Sequence, residues 1–95
     1  MKGLNDNQIK IVKDILGQFK EYQFFAYGSR VKGNFVKSSD LDILIKGSAI
    51  APTSLIEKLK ELFYESKLPF VVNIVDFYDI DDEFYKQIKA DLISI

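Results

Sequence analysis

Cysteine and histidine are both missing from these 95 residues. Without cysteine there are no disulfides and no thiol nucleophile. Without histidine there is no imidazole base for a catalytic triad and no histidine-based zinc site. Chemistry falls to carboxylates, hydroxyls, amines and a metal held by oxygen. No apolar run approaches the roughly 18 residues that cross a bilayer. Met1-Lys2-Gly3-Leu4-Asn5-Asp6 leads into an amphipathic pattern, not an apolar leader, so a cytoplasmic location is expected. Neither sign of charge dominates: 13 Lys and Arg face 14 Asp and Glu, for a net charge of −1. A stand-alone duplex-DNA binder carries a basic footprint, so nucleic acid is not an expected partner. No repeat, low-complexity tract or linker breaks the chain. At 47% hydrophobic and 28% charged residues, the composition is that of one folded domain spanning 1–95. A chain this long buries a little over about 60% of its unfolded surface.

The patterning predicts alternating helices and strands. Asn5 or Asp6 can cap a helix whose apolar positions Ile9, Val12, Ile15, Leu16 and Phe19 recur at helical spacing. Tyr22 to Tyr27 reads as a strand, and residues 30–39 as a short turn or helix followed by a loop. A second strand is expected from about Asp40 to Ile45, with Leu41, Ile43 and Ile45 on one side and Asp40, Asp42 and Leu44 on the other. Pro52 opens a helix over about Thr53 to Ser66. Phe70 to Phe77 is apolar on both faces, which predicts a central third strand. The acidic residues Asp79, Asp81, Asp82 and Glu83 precede a last helix through about Ala90, where they complement its dipole. Residues 92–95 read equally as an edge strand or a helix tail. The fold class is α+β, an α/β sandwich with helices packed on a small mixed β-sheet.

The most specific feature is a spacing: Gly28-Ser29, ten residues, then Asp40-Leu41-Asp42. Strand residues two apart share a face, with Cα atoms about 6.5–7 Å apart, so Asp40 and Asp42 aim together beside the glycine turn. Paired carboxylates suit Mg²⁺, which takes one or two of them plus substrate phosphates. A Gly-Ser turn with free N–H groups and a hydroxyl suits a phosphate. Phosphate plus metal reads as phosphoryl or nucleotidyl transfer.

Phe25-Ala26-Tyr27-Gly28-Ser29-Arg30-Val31-Lys32-Gly33, followed by Ser39-Asp40-Leu41-Asp42-Ile43-Leu44, resembles the signature of the minimal nucleotidyltransferases. These are the smallest members of the DNA polymerase beta-like nucleotidyltransferase superfamily. The resemblance implies the nucleotidyltransferase fold and a domain lacking the extra module that larger relatives use to hold base and acceptor. It implies Asp40 and Asp42 as catalytic ligands of two Mg²⁺ ions. Gly28 and Ser29, with Arg30 and Ser39, become the nucleotide- and phosphate-binding set, ATP or another nucleoside triphosphate being the substrate. Arg30 is the residue expected to offset triphosphate charge. The acceptor implied is a tyrosine of a small helical HEPN-type protein, in a pairing that acts as toxin and antitoxin. Relatives add a third carboxylate from the strand after the long helix, and two residues compete for that place here. Asn73 stands at the matching position and can ligate a metal through its amide oxygen, but it cannot act as a base. Asp76 can supply the catalytic carboxylate only if a bulge turns it round. A second reading therefore stays open, a weakened domain that neutralises its partner by binding alone. The aromatics Phe35, Tyr64, Tyr78, Phe84 and Tyr85 are expected to line an exposed interface, in a homodimer or a heteromer with the helical partner.

Overall fold

Asn5 starts the first helix as a reciprocal cap. Its side-chain oxygen accepts from the Gln8 N–H at 2.8 Å, and the Gln8 side chain accepts from the Asn5 N–H at 3.1 Å, satisfying donors that a helix start leaves free. The computed structural model describes residues 1–95. Along the chain come α1 (Asp6–Leu16), β1 (Gln23–Tyr27), α2 (Ser29–Lys32), β2 (Leu41–Lys46), α3 (Thr53–Glu65), β3 (Val72–Asp76), α4 (Asp82–Ile88), a 3-10 turn (Lys89–Asp91) and β4 (Ile93–Ser94). No helix is long and apolar enough to cross a membrane.

The strands form one mixed sheet in the order β3-β2-β1-β4. β1 is antiparallel to β2 and β4, while β2 and β3 are parallel and joined by the crossover helix α3. Alternation then sorts the side chains. Phe24 and Ala26 of β1 and Leu41, Ile43 and Ile45 of β2 face α1 and α3, where they pack with Val12, Ile15, Leu16, Leu59 and Phe63. On the opposite face Tyr27 and Leu44 pack with Ile88 of α4, and Phe25, Val75 and Phe84 surround them. Asp42 shares this second face with Leu44, beyond the end of the apolar packing. The first face holds the molecule together, and the second carries the site.

Two expectations need correcting, and one open alternative is decided. The third strand is an edge strand, not a central one, and covers Val72–Asp76 only. Its two apolar faces arise because Val72 and Ile74 pack toward the α1/α3 core and Val75 toward α4, while one backbone edge stays open. Residues 92–95 are no helix tail: a 3-10 turn hands the chain to β4, where Ile93 pairs with Ala26 and Ser94 with Phe25. Of the five aromatics expected at an interface, Tyr64 (90% exposed) stands free of the core, and Tyr78 (44% exposed) meets Phe77 edge-on while its hydroxyl donates to the Gly47 carbonyl. Phe84 instead meets Tyr27 edge-on, Tyr85 meets Phe77 edge-on, and Phe35 lies against the Arg30 guanidinium.

Candidate active site

β1 runs out into Gly28 at φ +85°, ψ −160°, a conformation that side-chain-bearing residues avoid. Space makes the same demand: a Cβ there would meet Asp42 Oδ2 at 2.5 Å. The turn can therefore close against the carboxylate only as glycine. The Gly28 carbonyl accepts from Val31 at 3.1 Å and Lys32 at 3.0 Å, which starts α2. As in any first helical turn, the Ser29 and Arg30 N–H groups have no partner within the helix.

Across the sheet, Tyr27, Asp42 and Asn73 lie in register on neighbouring strands. The Asn73 amide nitrogen donates to Asp40 Oδ2 at 3.0 Å and to Asp42 Oδ1 at 3.2 Å. One small donor reaches both carboxylates, so both converge on a single point. That arrangement is electrostatically uncomfortable. Burial pushes the Asp42 carboxyl up; the Asn73 hydrogen bond opposes the shift, and the charge of Asp40 adds to it. The Tyr27 phenol is pushed up to about 12, first by burial and then by the charge of Asp42, so it stays neutral at physiological pH. A cation would relieve the repulsion. Two carboxylates suit a metal that completes its shell with water and substrate phosphate. Mg²⁺ is such a metal. It fits this donor set of two hard carboxylates beside a cradle that a Cβ would fill. Around Asp42 an open groove of about 530 Å³ is lined by Tyr27, Lys60, Asn73, Val75 and Phe84 among others.

Residues 6–95 match the nucleotidyltransferase domain family. The chain belongs to that family. It is 37% identical over 93 residues, 97% of this chain and 82% of the relative, to the probable protein adenylyltransferase MntA of Haemophilus influenzae (strain ATCC 51907 / DSM 11121 / KW20 / Rd). Solved structures share the fold. A toxin-antitoxin crystallised with AMP-PNP superposes with a TM-score of 0.70 at 22% identity, covering 96% of this chain and 72% of that one. A mutant of the toxin-antitoxin MntA-HpeT gives 0.70 at 22% identity, covering 97% and 72%.

In this nucleotidyltransferase domain, Gly28 lies against Asp42, and of the two residues that compete for the third place it is Asn73 that meets Asp40 and Asp42. Asp76 does not. The β2–β3 register runs unbroken from Leu41↔Val72 to Ile45↔Asp76, so there is no bulge and Asp76 faces away from Asn73. It is 7% exposed; its Oδ2 accepts from the Ala51 N–H at 2.8 Å and its Oδ1 from the Tyr78 N–H at 2.9 Å. Arg30 also departs from expectation. The residue is 4% exposed and its guanidinium donates to three backbone carbonyls, which turns it inward. Ser39 braces a loop: its hydroxyl accepts from the Val36 N–H at 2.9 Å. Lys32 pairs with Asp91 at 3.4 Å. The groove residues Tyr27, Lys60 and Phe84 escaped the sequence reading. Tyr27 could have been found, since a residue just before Gly28 in an antiparallel pair must sit near Asp42. Lys60 has no such signal in an ordinary charged helix face.

Proposed function

We propose that this nucleotidyltransferase transfers AMP from ATP, with Mg²⁺, to a tyrosine hydroxyl of a helical HEPN-type toxin and thereby acts as its cytoplasmic antitoxin. The observation that carries the reading is the convergence of Asp40 and Asp42 on one amide beside a turn that only glycine can make. The name of the Haemophilus relative supports a protein acceptor, and the neighbour with AMP-PNP supports an adenine nucleotide. Asp40 and Asp42 would hold the metal, and the Gly28-Ser29 turn would receive the β and γ phosphates through backbone N–H groups and the Ser29 hydroxyl. When bound, Mg²⁺ neutralises triphosphate charge. The acceptor oxygen forms a bond to the α-phosphorus as the bond to the bridging oxygen breaks and pyrophosphate departs; the acceptor proton passes to solvent. No carboxylate stands ready to take that proton, since Asn73 occupies the third position. An acceptor acidic enough to ionise unaided, such as a phenol with a pKa of about 10, suits the site better than an alkyl alcohol.

The test is incubation with labelled ATP, Mg²⁺ and the product of the adjacent gene. Label on a tyrosine of that protein is expected. Absence of transfer at any pH between 7 and 9 would refute the enzymatic reading. Asn73 also favours the second reading, neutralisation by binding. That reading requires Asp42→Ala to protect cells from the toxin as well as the unaltered protein does.

A further inference from the structure

A single planar cation joins three segments that the chain otherwise leaves apart. Arg30 Nη1 donates to the Gly3 carbonyl at 2.6 Å, Nε to the Ser39 carbonyl at 2.9 Å and Nη2 to the Lys37 carbonyl at 3.1 Å. The Phe70 ring lies 3.9 Å from the guanidinium carbon and the Phe35 ring 5.3 Å. The return contact is backbone: the Gly3 N–H donates to the Arg30 carbonyl at 2.8 Å. No side chain fits at Gly3, because a Cβ there would run into Cβ and backbone atoms of Arg30. Arg30 directly follows Ser29 of the phosphate turn, and Ser39 directly precedes Asp40. Within the loop Val36 and Ser39 bond only to each other, the Val36 N–H to the Ser39 hydroxyl and the Ser39 N–H to the Val36 carbonyl; Phe35 is half-buried, and Asn34, Val36, Lys37 and Ser38 are exposed.

We propose that Arg30 is a positioning residue that sets the distance between the Gly28-Ser29 turn and the Asp40/Asp42 pair by clamping Gly3, Lys37 and Ser39. The proposal rests on the nucleotidyl-transfer reading of the site. Arginine suits the task because its fork of fixed donors can meet three carbonyls at once while its face stacks on an aromatic ring, whereas a lysine ammonium presents one compact centre. Geometry matters at this scale, since a misplacement of about 1 Å among reacting groups can cost on the order of a hundredfold in rate.

The test compares Arg30→Lys with Val12→Ala, which opens the α1 core on the opposite face of the sheet and serves as a control of similar lost stability. AMP transfer and Mg²⁺-dependent ATP binding are measured for both at a temperature well below both melting midpoints. Arg30→Lys is expected to lower kcat at least tenfold with a smaller change in KM for ATP, and Val12→Ala to stay within twofold of the unaltered protein. Equal values for the two variants overturn the proposal. Should Arg30→Lys fail to fold, Gly3→Ala takes its place, since it keeps the arginine and displaces one carbonyl of the clamp; a kcat no lower than that of Val12→Ala then overturns the proposal. An unaltered protein that transfers nothing refutes the reading of the reaction and not the clamp. In that case weaker ATP binding in the clamp variant than in Val12→Ala supports the clamp, and equal binding overturns it.

Discussion

The parallel pair β2–β3 has two ends, and they treat a carboxylate in opposite ways. At the far end, Asp76 is buried and both its oxygens accept backbone N–H groups from Ala51 and Tyr78. Around it the Phe77 N–H donates to the Ile45 carbonyl at 2.9 Å and the Tyr78 hydroxyl donates to the Gly47 carbonyl at 2.8 Å. Each of these groups has a structural partner. At the near end, Asp40 and Asp42 point at each other's neighbourhood with one amide between them, and burial pushes the Asp42 carboxyl up. One end is built to be stable by itself. The other sets two carboxylates against one amide, where the charge of Asp40 adds to the cost of ionising Asp42.

The sharpest way to break this contrast is Asp42→Ala. Mg²⁺-dependent ATP binding and AMP transfer should fall by roughly a thousandfold or more, while thermal unfolding shows a melting midpoint no lower than before. An unchanged ATP affinity would show that the near end is not the nucleotide site. Next in size is Gly28→Ala, which forces an unfavourable φ and drives a methyl into Asp42 Oδ2. A stability loss of about 1–3 kcal/mol with a transfer loss on the order of a hundredfold is expected, read by denaturant titration and initial rates. A variant that keeps full activity would separate the turn from the carboxylates.

The contrast between the two ends was half legible beforehand. The period of two along a strand is enough to say that Asn73 and Asp76 face opposite ways, and the Gly-Ser and Asp-x-Asp elements gave the near end from local alternation alone. Which of the two residues faces the site depends on register, which no local pattern supplies. Nor could the sequence place the third strand at an edge, because partial cover by α3 on one face and α4 on the other leaves the same apolar run as full burial. The Arg30 contacts are hidden from the sequence for a related reason. Its position after a phosphate turn suggests a phosphate ligand, but its main acceptor, Gly3, lies 27 residues away in the chain.

A paired substitution sharpens the comparison at smaller amplitude. Asp76→Ala strips the acceptors from two N–H groups in a tightly packed corner and should cost about 2–4 kcal/mol of stability. Its kcat should stay within twofold at a temperature where the variant is folded. Asn73→Asp should do the reverse, raising transfer up to about tenfold by adding a general base while lowering apo stability, since three carboxylates would then share one point. Loss of transfer in Asp76→Ala with no gain in Asn73→Asp would mean that the far end serves the reaction after all.

The smallest effect is also the one whose sign is least expected. A carboxyl whose pKa is higher in the folded than in the unfolded state binds more protons when folded, so its contribution to stability falls as pH rises. Asp42 is such a group. Its favourable contribution is present below the ordinary carboxyl range near pH 4 and is lost as pH climbs through the raised value. At neutral pH the ionised side chain therefore works against folding. Asp42→Asn is nearly isosteric and cannot ionise, so without metal it should melt above the unaltered protein at pH 7 and converge with it near pH 4. Solvent screens a half-exposed group, so a difference of only a degree or two is expected. Other titrating groups cancel in the comparison, because both proteins carry them. Adding Mg²⁺ and ATP should invert the order, raising the midpoint of the unaltered protein and leaving that of the variant unmoved. A melting difference between the two proteins that stays constant with pH would show that ionising Asp42 does not work against folding, and the near end of the strand pair would then be no different in kind from the far one.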